Sequence, residues 1–445
     1  MNAQWKHFPS LLALCTASAL SIVWSLSLAH GVPGGVMGFP GIYQGTQCLL
    51  HGCDPYNAEQ LKGFYEASGA LTPGMTPERL QAVTLYVNLP PTFLFVAPFT
   101  LFPLGTAQLA WNGILIFSFL SAAFLMWRIG ATYSRSSSLF LLCVLLSNCV
   151  IVFSGGNTAG LVVALSVIAS WCLIQARAEW LGVVCLAVAL TIKPHDSGMV
   201  WLYFLLASRV TRKRALQSAA LAAVLTLAGT IWVSIAAPHW LVEMRSDLAA
   251  ISAPGGINEP GPTSIGVNSA DMIIDLQTVF SIVYNNSQFY NAATYIICGT
   301  LFVLWVRAIL RARFTAENAW LALVAGTMLS MLVTYHRSYD AKLLLLAIPA
   351  CSMLHSRGGR MARNAYMLTA AAFLFTADIP VTAIALGVSH LPMTASSWEA
   401  KLISILFGRP VPLFVLATSI FYLWVYIKES RTAAQTRKVS APQAV

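Results

Sequence analysis

The chain has 445 residues, of which only 9% are charged and 57% are hydrophobic, and its mean hydropathy is +0.70. A soluble protein carries roughly 25% charged residues, so this chain cannot cover itself with a hydrated surface, and two or three soluble domains are excluded. It reads as an all-α polytopic membrane protein, one domain over 1–445, with helices rather than a β-barrel. The net charge of +10 does not point to nucleic acid, because the basic residues fall in short clusters between apolar segments, as membrane topology requires.

In chain order, apolar runs lie near 9–28, 91–103, 106–127, 139–153, 158–175, 180–193, 197–208, 215–236, 291–310, 318–335, 341–354, 365–388 and 411–427. The first run is long and weakly charged at its start, which favours a membrane span over a cleaved signal peptide. Two long polar stretches interrupt the pattern, at 29–88 and 238–288. The clusters Arg209/Arg212/Lys213/Arg214, Arg307/Arg311/Arg313, Arg357/Arg360/Arg363 and Lys428/Arg431/Arg437/Lys438 alternate with basic-poor loops, so they are expected inside. Tracing back places both termini in the cytoplasm and both long loops on the outer face. The number of runs is odd, whereas two inner termini require an even number of crossings. The run 91–103, bounded by Pro90, Pro91 and Pro103, is too short to span and is expected to be re-entrant. About twelve crossings remain.

Cys15, Cys143, Cys149, Cys172, Cys185, Cys298 and Cys351 lie in apolar segments, where cysteine behaves as a small hydrophobe. No CxxC or Cys/His ligand spacing occurs, so no metal site is expected. Cys48 and Cys53 lie in the first outer loop, on the oxidising side. A disulfide can close there only if the pair is not held on one helix.

Function is expected on the outer face, where the loops are long and polar residues approach membrane depth. In the first loop, residues 41–50 can form a helical turn or two ended by Gly52, and Asp54-Pro55 starts another. Asp54 there is a helix cap or a catalytic carboxylate. Tyr43, Tyr56 and Asn88 are candidate binding residues of the same region, and Asn157 of the Gly155-Gly-Asn-Thr158 turn. Lys193-Pro194-His195-Asp196 ends a span with an ammonium that either snorkels to headgroups or meets a phosphate. Tyr335-His336-Arg337-Ser338-Tyr339-Asp340-Ala341-Lys342 crowds titratable groups between two apolar runs. Arginine suits bidentate phosphate binding there and His336 could donate to the same phosphate, while an interfacial Arg337–Asp340 pair is the simpler alternative.

The Gly52-Cys-Asp-Pro-Tyr56 segment after a first span resembles the GT-C glycosyltransferases. So do Pro90-Pro91 before an apolar run, the Gly-Gly-Asn-Thr turn and Lys193-Pro194 after the next hairpin. More narrowly, the order over roughly residues 10–355 is similar to glycosyltransferase family 87, which includes polyprenol-phosphate-mannose-dependent α-mannosyltransferases. The resemblance implies a GT-C bundle in the plasma membrane, a polyprenyl-phosphate sugar donor, a lipid or glycan acceptor on the outer face, and no nucleotide or metal cofactor. It also implies a base in a pattern like Asp-Phe-x-x-x-Tyr. This chain reads Gly38-Phe-Pro-Gly-Ile-Tyr43, and glycine cannot take a proton. The base must then be Asp54, Asp196 or Asp340, or the chain is an inactive relative. Lys193, His195, His336 and Arg337 would face the leaving phosphate. A lipid transporter is the rival class, but the internal symmetry common among transporters is not evident.

Overall fold

The computed structural model describes residues 8–31, 38–71, 83–262, 273–378 and 397–440, besides a few isolated positions. Among these residues the regular structure is helical, apart from one antiparallel bridge between Ile273 and Arg337. Five helices are long and apolar enough to cross a membrane: Leu104–Tyr133, Arg209–Ala236, Ser287–Arg311, Ala316–Val333 and Pro410–Arg431. Shorter apolar helices, among them Thr158–Ile174 and Glu179–Ile192, complete the bundle. The chain is thus an all-α membrane protein.

Burial sorts the long helices. Ala316–Val333 is the central column, with 78% of its apolar window buried, and it packs closely against the helix that begins at Pro410. Arg209–Ala236 lies at the periphery, with 17% buried. Its Val224, Leu227, Ile231 and Ile235 are exposed, as expected of a face that meets lipid.

Several apolar runs are divided by local chemistry. Residues 139–153 belong to two helices, Arg135–Leu146 and Val150–Ser154, with Ser147 capping the first. The run 341–354 begins as a 3₁₀ turn, Asp340–Leu346, before the helix Ala347–Ser356. Residues 91–103 form a helix, Thr92–Val96, and a 3₁₀ turn, Ala97–Leu101. Together these rise about 15–20 Å, short of the roughly 30 Å hydrocarbon core. Gly229 admits Pro91 against the peripheral helix, since a Cβ there would lie 2.6 Å from the Pro91 Cα. The run 365–388 begins in the helix Gly359–Phe375, and its later part lies largely outside the described residues.

Direct contacts place both long polar stretches at the same end of the bundle. Asn57 Nδ2 donates to Glu243 Oε1 at 2.9 Å, and the Tyr86 amide donates to Asp247 Oδ2 at 3.0 Å. A small apolar core of Cys48, Tyr56, Leu61, Tyr65, Tyr86 and Phe93 closes on Val233, Ala237 and Met244 beneath them. Basic residues occupy helix ends elsewhere. Arg214 pairs with Glu179 at the start of the next-but-one helix, and Arg357 joins Glu317 and Glu429. Because Arg214 begins the helix whose far end carries Ala237, the Glu179 end is opposite the loops. Lys193, at the other end of Glu179–Ile192, therefore lies at the loop end.

Candidate functional site

The loop end of the bundle carries two groups of ionisable side chains. The first is built where Glu179–Ile192 turns into Pro194–Ala207. Pro194 occupies the first helical position, where its missing N–H costs nothing, and Lys193 and Asp196 are left flanking the turn. Lys193 Nζ lies 3.1 Å from Asp196 Oδ2 and donates to Asp340 Oδ1. Asp340 Oδ2 accepts from the Arg337 amide at 2.8 Å, so this carboxylate is engaged at both oxygens. Lys193 is thus held between two buried carboxylates.

Asp196 differs from Asp340. It is fully buried, with His336 Nε2 at 3.2 Å and His195 Nε2 at 3.7 Å from its Oδ1. None of these neighbours is aligned for a hydrogen bond, so neither Asp196 oxygen, nor His336 Nε2, has one. His336 is fixed from its other side, where Nδ1 meets the Thr334 carbonyl at 2.9 Å. The His195 and His336 rings lie 5.1 Å apart, and the His195 side chain is 41% exposed, the widest opening of this group to the surface. The buried surroundings and the Lys193 ammonium hold His195 below the usual imidazole range. One ligating atom each from His195, Asp196 and His336 lies within 4.8 Å of the others, a set able to hold a metal ion.

Arg337 and Lys342 are drawn elsewhere. The Arg337 guanidinium donates to the Tyr335 hydroxyl at 2.6 Å, the Ile257 carbonyl at 2.9 Å and Asn258 Oδ1 at 3.1 Å, tying the second long polar stretch to the bundle. Lys342 Nζ meets Asp378 Oδ1 at 2.8 Å, the Asn148 carbonyl at 2.8 Å and the Thr376 carbonyl at 3.1 Å. It is a buried pair of the core.

The second group surrounds Asp54. Its Oδ1 accepts from the Tyr56 amide at 2.9 Å, closing a turn on itself. The cap of the following helix, Ala58–Ser68, is Asn57, whose Oδ1 accepts from the Gln60 amide. The cap reading of Asp54 is therefore corrected by three residues. Glu243 and Asp247 project from Trp240–Ser252 into the same place. Burial, with the Glu243 charge added, raises the Asp54 carboxyl to about 6. Asp247 is likewise raised to about 6 by burial and by Glu243 and Asp54. Neither Glu243 nor Asp247 stands out in the sequence, because they lie in an amphipathic stretch far along the chain from Asp54.

The remaining candidates hold the scaffold. Tyr43 donates its hydroxyl to the Phe102 carbonyl at 2.8 Å and accepts from Gln47, anchoring the end of the Thr92–Leu101 segment. Tyr56 is buried edge-on to Tyr86 and Phe93 and donates to the Asn88 carbonyl at 2.7 Å. Asn157 caps Thr158–Ile174 through the Ala159 amide. Cys48 and Cys53 form a disulfide. The helix ends at Leu50 and Gly52 turns at φ +77°, so Cys53 leaves the helix axis and closes back to a Cα separation of 4.9 Å.

Gly38 has a structural reason to be glycine. Its φ is +67°, and a Cβ would lie 2.1 Å from the Gly155 carbonyl oxygen, which accepts the Phe39 amide at 2.8 Å. No side chain fits where the Asp-Phe-x-x-x-Tyr pattern would put its aspartate.

No protein-family model, curated protein or solved structure matches the chain.

Proposed function

We propose that this protein is a membrane glycosyltransferase of the GT-C type, with about twelve crossings and one re-entrant segment. It would reside in the plasma membrane with both termini cytoplasmic. The reaction would move a hexose, such as mannose, from a polyprenyl-phosphate carrier to a lipid or glycan acceptor on the extracytoplasmic face. The observation that carries this reading is the group of buried Asp196, His336 and Asp340 with half-buried Lys193 at the loop end, open to the surface at His195. Charges at membrane depth are expensive and are retained where a polar substrate is handled.

Asp54 is the base in this scheme. A carboxyl held near 6 is ionised at neutral pH, yet binds a proton more firmly than an ordinary carboxylate. It takes the acceptor hydroxyl proton as that oxygen attacks the anomeric carbon. The bond from the anomeric carbon to the phosphate oxygen breaks, and one displacement inverts the configuration. Lys193 and His195 stabilise the charge developing on the leaving lipid phosphate in a water-poor site.

The test is incubation of the purified chain with radiolabelled polyprenyl-phosphate hexoses and a membrane extract. Label in a new lipid, glycan or protein product supports transfer. Label that crosses a vesicle bilayer while still on its carrier would mean a transporter, and label bound without transfer an inactive relative.

A further inference from the structure

His195, Asp196 and His336 carry a feature that the phosphate reading leaves unexplained. His336 Nδ1 faces the Thr334 carbonyl, which can only accept, so Nδ1 carries a proton and Nε2 is the nitrogen turned towards Asp196. Nε2 lies 3.2 Å from Asp196 Oδ1, without the alignment of a hydrogen bond. His195 brings a second nitrogen to the same oxygen at 3.7 Å. Two imidazole nitrogens and a carboxylate oxygen thus converge at a place buried on the Asp196 and His336 side and open at His195, and a cation between them would satisfy all three.

We propose that His195, Asp196 and His336 bind a zinc ion. Two imidazoles and one carboxylate select zinc over magnesium or calcium, which prefer oxygen ligands. Zinc bonds of about 2.0–2.1 Å imply ligand separations of about 3.3 Å. The distances of 3.2 and 3.7 Å bracket that value, and all three atoms lie within 4.8 Å of one another. The Thr334 carbonyl orients His336 as an outer partner of a ligating histidine does. Lys193 holds the far oxygen, Asp196 Oδ2, at 3.1 Å, leaving Oδ1 for the metal. The fourth position opens on the exposed side of His195, where a phosphate oxygen or water completes the tetrahedron. The ligand set was hidden in the sequence because its histidines come from segments about 140 residues apart, beyond any spacing motif.

The experiment uses the full chain in detergent, stripped with chelator, given one equivalent of zinc and desalted, with the metal read by elemental analysis. The expected result is about one zinc per chain, and a visible d–d absorption band when cobalt(II) replaces it. His195→Ala changes an exposed side chain and should leave the bundle folded, while lowering zinc affinity at least ~10–100-fold, the range already seen for outer partners alone. His336→Gln should do the same, its folding checked by size-exclusion chromatography. His239→Ala, an exposed imidazole elsewhere, should retain zinc. A wild-type chain without zinc after desalting, or a folded His195→Ala chain that keeps it as tightly, would overturn the proposal. Neither readout requires sugar transfer, so failure here is distinct from failure of the transferase reading.

Discussion

Asp54 carries two separable duties, accepting the Tyr56 amide and, in the proposed reaction, accepting a proton. Asp54→Asn keeps an oxygen for the amide but cannot take the proton. Transfer should fall to background in the radiolabel assay while the size-exclusion profile stays that of wild type. The raised carboxyls also set a direction for stability. Asp54 and Asp247 sit near 6 in the folded chain, against about 4 when exposed. Protonation therefore favours the folded state fully below about pH 4, and that advantage is lost as pH rises through 6. The Tm in detergent should fall between pH 5 and pH 7.5, and Asp247→Asn should flatten that fall. A Tm that rises over this window would contradict the buried acidic group.

Lys193 shows how structure revises a sequence-based expectation. Read alone, it is a snorkelling or phosphate-binding lysine whose removal spares the fold. With Asp196 and Asp340 both depending on it, Lys193→Ala leaves uncompensated buried carboxylates, a loss of about 3–5 kcal/mol. A marked drop in Tm should accompany any loss of donor use. The sequence located this lysine and its turn correctly. It could not show which carboxylates the lysine meets, because Asp340 lies on a different helix hairpin.

At the scale of elements, the first loop is legible in part. Residues 39–50 do form a helix, Gly52 does end it, and the short run after Pro91 is made of turns too short to span. What periodicity could not reveal is close approach between distant segments. Gly38 looks like a lost catalytic position until Gly155 is seen against it. Gly38→Asp should therefore fail to rescue or raise activity. It forces a side chain into a backbone carbonyl at a positive φ and should lower the yield of folded protein severely. Gly38→Ala is expected to do the same in milder form. The Cys48–Cys53 disulfide closes a short loop, so its loss should cost at most about 2 kcal/mol. Intact mass after alkylation, with and without reduction, checks that it forms.

For the whole molecule, the prediction concerns sidedness. Composition alone pointed to a helical membrane protein, and the basic clusters give an expectation of which end faces inward. Contacts between the loops show that residues 38–71 and the Trp240–Ser252 helix share one end. Single cysteines at Ala67 and Ala249 should react with an impermeant maleimide in intact cells, and one at Lys213 only after permeabilisation. Labelling at Lys213 alone would invert the bundle.

The bond between Asn57 and Glu243 spans 186 residues, and this separation has a consequence for biogenesis. At about 5–20 residues per second, the first loop is made roughly ten to forty seconds before its partner helix. During that interval Tyr86 lacks Asp247 and the aromatic cluster around Tyr56 has no floor, while Phe39 meets Gly155 only about halfway through it. The Cys48–Cys53 bridge needs nothing beyond its own six-residue segment, so it is available to fix the loop while the rest of the chain is still being threaded. Pulse-chase trapping of nascent chains should find this bridge already formed in chains that end before residue 240. The cap over the bundle is thus assembled around a piece that was locked first.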